Sequence, residues 1–443
     1  MNPILLPIPL ISLVLVLRGK AEKAFLSVYL PCLLLLTTGF NIAFPHIPGL
    51  TVAQYTLLPI AIVALYRYIK RGSFALMDLL VLLYIVSEAS TEITREPNST
   101  TGAYIAIPFF FSVGLTYITG RGLIEPELRF TTVKRIVVLA LILGPIGLYE
   151  WRMGISPYSI IGGYLHLPVG LGVQIRGSHG RLMASFGDAE IAGIAFGMTF
   201  ALNGWLVYLT RIAGRSILGK RLAQLAKYRI PELVLLTLVW MTQSRGPIAG
   251  TVLAIIILQI PRFRNTRRGT IIVFLAVAII IGGGYGYYKH YTSVNPEDVR
   301  SEQQSAAMYR RGMNEQYPPI AKKGGWLGWS ATGVPVLPGM QSIDNEFLRV
   351  WLIQGAFGLS VLLLIVFESL RSTAVRSWIM AELDDRAFTF SLIGAFILLW
   401  ATLTTVWMGN QLPDYVFLLL GWSQSIGVRR YYRPKFNFQR VFR

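Results

Sequence analysis

Several arginine residues stand where an apolar sequence would not be expected to carry charge, and they suggest a specific chemistry. Arg245 lies in the turn TQSRGP at 242–247, between two apolar runs with almost no loop. Arg181 comes just before another apolar run, and Arg310 and Arg311 lie in a long polar segment. A guanidinium presents a planar fork of donors that matches phosphate oxygens in pairs. Several of them around one cavity predict a binding site for a phosphorylated ligand.

Each of these arginines also has a purely structural interpretation. A charge at membrane depth costs roughly 2.5–3.5 kcal/mol on insertion scales, so it either has a partner or extends to the membrane surface. This alternative applies most directly to Arg311 and to Arg349, which lies one turn into an apolar run. It applies least to Arg245, which a tight turn encloses. Arg176 and His179 lie close to Arg181 in sequence and are further candidates for ligand contact.

Acidic residues at 344–346 (Asp-Asn-Glu) complement the arginines. They close the longest polar segment, immediately before an apolar run. A partly desolvated carboxylate there can accept a proton from a hydroxyl group. We predict Asp344 as the general base, with Glu346 as the reserve candidate. Asp344 could equally cap the following helix, and the two roles are compatible.

Three further acids lie at the ends of apolar runs on the same side. They are Glu88, Glu92 and Glu150. We interpret them as structural partners for Arg95 and Arg152.

The composition indicates an integral membrane protein. Of the 443 residues, 53% are hydrophobic and only 14% are charged, and the mean hydropathy is +0.54. These values are too apolar for an ordinary soluble globule. The single cysteine, Cys32, lies in an apolar run, which excludes an intramolecular disulfide framework and a cysteine metal cluster. The first seventeen residues lack a basic segment and a cleavage site, and we expect a retained span.

Apolar runs along the whole chain predict an all-α polytopic protein of about 13 transmembrane helices in one integral domain, 1–443. The predicted spans are 3–17, 24–40, 51–66, 74–90, 102–119, 136–150, 189–210, 231–244, 247–261, 270–288, 347–367, 388–408 and 413–428.

The net charge of +19 is explained by the distribution of basic residues around these spans rather than by nucleic-acid binding. Most of the 41 Lys and Arg residues fall in alternate loops. Cytoplasmic loops carry such an excess, so the pattern predicts a cytoplasmic C-terminus and an N-terminus on the outer side. The basic segments are 18–23, 67–71, 121–135, 211–229, 262–268, 371–386 and the tail 429–443.

Two outer loops are longer than a simple connection requires, namely 151–188 and 289–346. Long loops in compact proteins are usually functional or disordered. Both contain Gly, Pro and aromatic residues, which favours ordered segments near the headgroups. The sequence shows no Walker phosphate loop, no His-Glu-x-x-His pair and no Asp-x-Asp pair for a metal–nucleotide sugar. It therefore predicts no cofactor and no metal site.

Three separated segments resemble the O-antigen ligase and O-antigen/exopolysaccharide polymerase superfamily of bacterial membrane glycosyltransferases. The stretch 181–190 resembles the family's Arg-x-x-Gly-Thr-Phe-x-Asn-Pro-Asn sequence, and 244–246 its Ser-Arg-Gly/Ala turn. The segment 310–358, with its glycines, the Asp-Asn-Glu run and Gly-Ala-Phe-Gly, is similar to the large periplasmic loop. The family carries a histidine at Asp344, and Asn-Pro-Asn at 188–190.

The resemblance implies a C-type glycosyltransferase fold, acting on undecaprenyl-diphosphate-linked oligosaccharides at the periplasmic face without a metal or a nucleotide sugar. Arg181 and Arg245 would hold the donor diphosphate, with Arg310, Arg311 or Arg176 assisting, and Asp344 would activate the acceptor. We predict a polysaccharide polymerase of the bacterial inner membrane, working beside a chain-length regulator or export complex. The alternatives are an O-antigen ligase that transfers glycan to lipid A core, and a flippase or other transporter of lipid-linked oligosaccharide.

Overall fold

The computed structural model describes residues 3–260 and 302–426, with short pieces between 268 and 283. Within these ranges, residues 45, 47, 97, 168, 170–171, 214–217, 341 and 381 are not described, nor are the side chains of 211–228 and 302–303. Most of the predicted span 270–288, the loop residues 289–301 and the basic tail lie outside the described residues.

The described chain is almost entirely helical. The helices of the first half are α1 Pro7–Leu17, α2 Ala21–Ala24, α3 Leu30–Leu35, α4 Val52–Arg71, α5 Leu76–Arg95, α6 Ser99–Phe110, α7 Thr116–Leu123 and α8 Pro126–Met153. Two π-helical segments, Phe25–Tyr29 and Phe111–Leu115, join α2 to α3 and α6 to α7. A 3-10 turn covers Pro3–Leu5.

The second half continues with α9 Pro157–Tyr164, α10 Ala189–Ala213, α11 Leu218–Met241, α12 Arg245–Ile257, α13 Glu302–Gly324, α14 Glu346–Ile379, α15 Leu383–Thr402 and α16 Leu412–Ser425. Two short antiparallel hairpins connect helices: β1 Asn41–Ile42 with β2 Leu50–Thr51, and β3 Ile175–Arg176 with β4 His179–Gly180. A second 3-10 turn, Ala184–Phe186, precedes α10.

Each predicted span that the structure describes coincides with helix, which confirms the all-helical membrane-type fold. Six of the described helices are long and apolar enough to cross a bilayer: Val52–Arg71, Thr100–Leu123, Pro126–Met153, Ala189–Thr210, Glu346–Ile379 and Leu383–Thr402. Others, such as Pro7–Leu17, are too short to span alone. The number of thirteen spans therefore remains a prediction.

Glycines allow the helices to approach closely where α7 crosses α16. A Cβ atom at Gly120 would meet the carbonyl oxygen of Leu418, and one at Gly421 would meet that of Tyr117. Small residues at such crossings let two backbones pack directly, which is how helices associate when lipid surrounds them. The buried aromatic side chains of Tyr415 and Trp422 fill the space beside this crossing.

At one end of the bundle, ion pairs connect charged side chains at the helix ends next to the basic loops. Arg121 Nε lies 3.3 Å from Asp78 Oδ1, and Arg129 Nη1 lies 2.7 Å from Asp385 Oδ1. These contacts join the end of α7 and the start of α5, and the starts of α8 and α15. We call this region, defined by Asp78, Arg121, Arg129 and Asp385, the paired end.

The two long loops carry ordered elements, as expected for 151–188. That loop contains α9, the β3–β4 hairpin and the second 3-10 turn. The described part of the loop 289–346 begins with α13, which packs along α14 through Met313, Tyr317 and Leu352. Both loops lie at the end of the bundle opposite the paired end, because α8 and α14 connect the two ends.

Candidate functional site

Arg181 is buried, with only 5% of its surface exposed, and the chain around residue 243 holds it in place. Its Nη2 donates to Ser244 Oγ at 2.6 Å and its Nε donates to the Thr242 carbonyl at 3.1 Å. The third donor, Nη1, contacts Gln174 Oε1. Burial lowers the pKa of the Arg181 guanidinium, and the nearby Glu190 carboxylate opposes that shift. The segment before α10 and the turn before α12 are therefore joined through one side chain.

Glu190 brings a second arginine to the same place. Its Oε1 lies 3.1 Å from Arg310 Nη2 and 3.7 Å from Arg181 Nη2. Glu190 stands in the first turn of α10, which Asp188 caps by accepting from the Glu190 N–H at 2.7 Å. Two guanidinium groups from α13 and from the segment before α10 thus share one carboxylate.

The Ser-Arg-Gly turn places the backbone of Arg245 next to this pair. Arg245 begins α12, its side chain is exposed, and the preceding Ser244 is the residue that Arg181 contacts. Consecutive Cα atoms are about 3.8 Å apart. Arg176, from the β3–β4 hairpin, donates from Nη1 to the Gln243 carbonyl at 2.9 Å. We call Arg176, Arg181, Arg245 and Arg310 the arginine cluster.

Asp344 lies next to the cluster and does not cap a helix. The cap of α14 is Asn345, whose side chain accepts from the Leu348 N–H at 3.2 Å. Asp344 Oδ1 instead accepts from Ser342 Oγ at 2.6 Å. The Asp344 side chain is half-buried and within electrostatic reach of Glu190. The helix cap is therefore Asn345 and not Asp344. The Asp344 carboxylate is left near Glu190, at the edge of the cluster.

Glu346 is directed into the protein rather than toward the cluster. Only 2% of it is exposed, and Oε2 accepts from the Met408 N–H at 2.8 Å. Arg349 Nη1 lies 3.8 Å from the same oxygen, and its guanidinium lies 5.5 Å from the centre of the Trp407 ring. These contacts fasten the start of α14 to the chain after α15. They favour a structural role for Glu346 and for Arg349.

Arg311 lies apart from the cluster, and His179 pairs with Arg176 in the β3–β4 hairpin but directs its ring to Trp151. Arg311 contacts Glu315 at 2.8 Å on the exposed side of α13, and 45% of its side chain is exposed. Successive residues on an α-helix point about 100° apart, so Arg310 and Arg311 cannot face the same ligand. The His179 ring stacks on Trp151, with their centres 3.8 Å apart, and contacts Ser178.

Our predicted partners for the buried glutamates at this end are wrong. Glu150 accepts from the Met183 and Ala184 N–H groups at 2.9 and 2.6 Å, and not from Arg152. Glu92 accepts from the Ala331 N–H at 2.7 Å rather than from Arg95. Buried backbone N–H groups need acceptors where no helix supplies them. The two carboxylates accept from such N–H groups in the loops 151–188 and 289–346.

A break in α14, which the sequence analysis missed, holds the large loop against the bundle. Gly355 has φ 72° and ψ −166°, outside the helical region. The carbonyls that the break frees accept from the loop: Trp329 N–H donates to the Leu352 carbonyl at 2.8 Å, and Ser330 N–H donates to the Ile353 carbonyl at 3.2 Å.

The same junction is completed in the opposite direction. Ala356 N–H donates to the Gly325 carbonyl at 3.0 Å. A Cβ atom at Gly328 would collide with the Ile353 carbonyl, and one at Gly355 with the Trp326 carbonyl. Non-helical backbone in a membrane helix is tolerated where protein buries it and satisfies its polar groups. The positive φ of Gly355 and the contact at Gly328 therefore explain why both positions are glycine.

No protein-family model matches this chain, and no curated protein matches it either. The function is therefore inferred from the arginine cluster and from the resemblance of the sequence motifs.

Proposed function

We propose that this protein is a polysaccharide polymerase. It joins undecaprenyl-diphosphate-linked repeat units at the periplasmic face by inverting glycosyl transfer that requires no metal. The observation that carries the proposal is the convergence of Arg181 and Arg310 on the single carboxylate of Glu190, beside the Ser244-Arg245 turn.

This convergence suits a diphosphate. Glu190 marks a position where an anionic oxygen lies within reach of two guanidinium groups. Arg181 and Arg310 share this one carboxylate, and Asp188 and Asp344 lie within electrostatic reach. A diphosphate carries more charge and more acceptor oxygens than a carboxylate, and arginine forks bind such oxygens in pairs. Positive groups placed where negative charge develops also stabilise the departing diphosphate in the transition state.

Asp344 is the group we assign to the acceptor. A hydroxyl oxygen of the acceptor sugar attacks the anomeric carbon of the donor glycan. The bond from that carbon to the diphosphate oxygen breaks, and its electron pair leaves with the lipid diphosphate. The hydroxyl proton passes to the Asp344 carboxylate, which is half-buried and accepts a hydrogen bond from Ser342 Oγ. A single displacement of this kind inverts the configuration at the anomeric carbon.

The resemblance to the O-antigen ligase and polymerase superfamily supports the same class of reaction. Its three motifs contain Arg181, Arg245 and Asp344, and the contacts around Ser244 bring the first two segments together. The aspartate at 344, where the family's ligases carry histidine, favours the polymerase. A ligase acting on lipid A core is the second candidate. The orientation that we propose has the arginine cluster in the periplasm, the N-terminus periplasmic and the C-terminus in the cytoplasm of the inner membrane.

The test is an assay of purified protein with lipid-diphosphate repeat units, read as a ladder of lengthened glycans. We expect a ladder with the wild-type protein and none with Asp344→Asn or Arg245→Ala. Asn345→Asp is the matched control, because aspartate also caps helices and the neighbouring carboxylate is untouched. Transfer to lipid A core without lengthening would instead identify a ligase. Translocation of the lipid across vesicles with no new glycosidic bond would identify a transporter.

A further inference from the structure

A polar cavity away from the arginine cluster lies between α3, α4, the second π-helical segment and the start of α16. Including its opening, the space measures about 350 Å³. Its polar walls include Asp414, Gln411, Gln54, Ser112 and Thr37. No Lys, Arg or His is among the described residues that line it.

Two oxygen atoms on these walls have no hydrogen-bond partner within the described part of the chain. They are Asp414 Oδ1 and Gln411 Oε1, and each residue is only 5% exposed. The other atoms of both groups are fixed: Asp414 Oδ2 accepts from Ser112 Oγ at 2.9 Å, and Gln411 Nε2 donates to the Ser185 carbonyl at 2.8 Å. If the Gln411 amide were flipped, its oxygen would face the Ser185 carbonyl oxygen, and two acceptors cannot form a hydrogen bond. The orientation of the amide is therefore determined.

The backbone around the cavity is also irregular. The second π-helical segment, Phe111–Leu115, borders it through Ser112, and Cys32 on the opposite part of the wall follows the first segment by three residues. Segments of π-helix occur often at functional sites. Asn410, also on the wall, has φ 52°, an uncommon conformation for a residue other than glycine.

We propose that this cavity binds a monovalent cation, with Na⁺ as the first candidate, through Asp414 Oδ1 and Gln411 Oε1. An isolated buried carboxylate is so costly that it acquires either a proton or a compensating positive charge. Two unpartnered acceptors on residues that line a space large enough for water suit a cation better than a proton, which needs no such space. Oxygen ligands are those that hard cations prefer, and membrane proteins hold Na⁺ where helices are interrupted.

Charge balance selects a monovalent ion. Asp414 supplies one negative charge, and the titratable groups that face it are the neutral Tyr29 and Cys32. A divalent ion would leave a buried positive charge without a partner, which is as unfavourable as the bare carboxylate. The N-terminus of α16 contributes only a partial positive charge beside Asp414.

The experiment measures thermal unfolding of the purified full-length protein in detergent. Sodium chloride is compared with choline chloride at equal ionic strength, and binding of radioactive Na⁺ is measured directly. A ligand that binds only the folded state raises its stability as concentration increases. We expect the Tm to rise by a few degrees in sodium chloride and to saturate. The rise should disappear in Asp414→Asn and require higher sodium in Gln411→Met, which keeps the carboxylate.

Asp384→Asn is the matched control, since Asp384 is a half-buried acid at the other end of the bundle. An asparagine there can still accept the hydrogen bond from Trp205. It should keep the wild-type response to sodium. Equal Tm values in the two salts, or a sodium response that persists in Asp414→Asn, would overturn the proposal. A response to pH alone, lost in Asp414→Asn, would assign Asp414 a proton and also overturn it. If Asp414→Asn does not fold, sodium binding to wild type and Gln411→Met decides.

Discussion

The two ends of the helical bundle use arginine in opposite ways. At the paired end, Arg121 contacts the carboxylate of Asp78, and Arg129 has its own partner in Asp385. Arg121 also donates to the Ser73 and Gln424 carbonyls, so its guanidinium is fully engaged. At the other end, Arg181 and Arg310 share Glu190. At the paired end each of these two arginines has a carboxylate of its own, and at the other end two arginines share one.

This difference separates arginines that hold a fold together from arginines that are available to a ligand. A buried charge is tolerated when paired and hydrogen-bonded, and removing its partner is strongly destabilising. Two arginines that share one carboxylate lack such individual pairing, and this arrangement suits an anionic ligand with several acceptor oxygens. Four predictions test this contrast.

The sharpest test uses two adjacent residues of α13. Replacing Arg310 by alanine removes a guanidinium from the cluster, and we expect glycan transfer to fall by about 10²–10³-fold, as when one preorganised donor to a transition state is lost. Replacing Arg311 by alanine removes an exposed pair with Glu315 and should leave the rate near wild type. Initial rates of ladder formation measure both. Equal losses in the two variants would contradict the assignment of Arg310 to the cluster.

The paired end should respond in stability instead. Arg121→Met leaves Asp78 buried without its ion-pair partner, which costs about 3–5 kcal/mol for pairs of this kind. Arg67→Met is the control, because its pair with Glu22 is partly exposed and should contribute at most about 1 kcal/mol. Chemical or thermal unfolding in detergent compares them. A small effect for Arg121→Met would mean that the ion pair is dispensable and the contrast between the ends is false.

A third prediction concerns the junction that supports the arginine end. Gly355→Ala introduces a side chain at positive φ and against the Trp326 carbonyl, so we expect a loss of about 1–3 kcal/mol and weaker docking of the large loop. Gly339→Ala is the control. Gly339 also has positive φ, but a Cβ atom there meets nothing within 4 Å. Protease sensitivity of the loop and unfolding midpoints measure the difference, and identical behaviour of the two variants would rule the junction out.

The smallest effect is the pH dependence at Glu96, just after α5. Hydrogen bonds from Thr332 and Ser330 lower the pKa of this carboxyl below its ordinary value of 4.5. The folded state therefore gains stability that is complete above pH 4.5 and is lost as the pH falls through the lowered value. Unfolding midpoints from about pH 6 to about pH 3 should show less acid sensitivity in Glu96→Gln than in wild type. An identical pH profile in the two proteins would refute this role of Glu96.

Much of the scaffold could be predicted from the sequence, because hydropathy and local charge specify helices in lipid. The predicted span 51–66 corresponds to α4, and 189–210 to α10. The charges of alternate loops meet at one end, as the contacts of Arg121 and Arg129 show. Hydropathy and loop charge are properties of short stretches of chain, so they can be read from the local sequence alone.

The candidate site was harder to predict from the sequence because its contacts join segments that are far apart along the chain. Nothing near Glu190 indicates that Arg310, far along the chain, is its partner. Glu150 was assigned to Arg152 because the two are close in sequence, yet it binds the backbone of Met183. The Gly-Ala-Phe-Gly motif that begins at Gly355 is visible in the sequence, but the positive φ of Gly355 is not. One available signal was the acid in the first turn of α10, two residues after Asp188 and beside Arg181.

The most direct test of the account is the binding of undecaprenyl diphosphate to the purified protein in lipid nanodiscs, with undecaprenol as the uncharged control. We expect saturable binding that weakens at least about tenfold in Arg310→Ala, is unchanged in Arg311→Ala, and tightens in Glu190→Gln, where the competing carboxylate is removed. Equal binding of the two lipids, or equal affinity in Arg310→Ala and wild type, would contradict the claim that the arginine cluster binds a diphosphate.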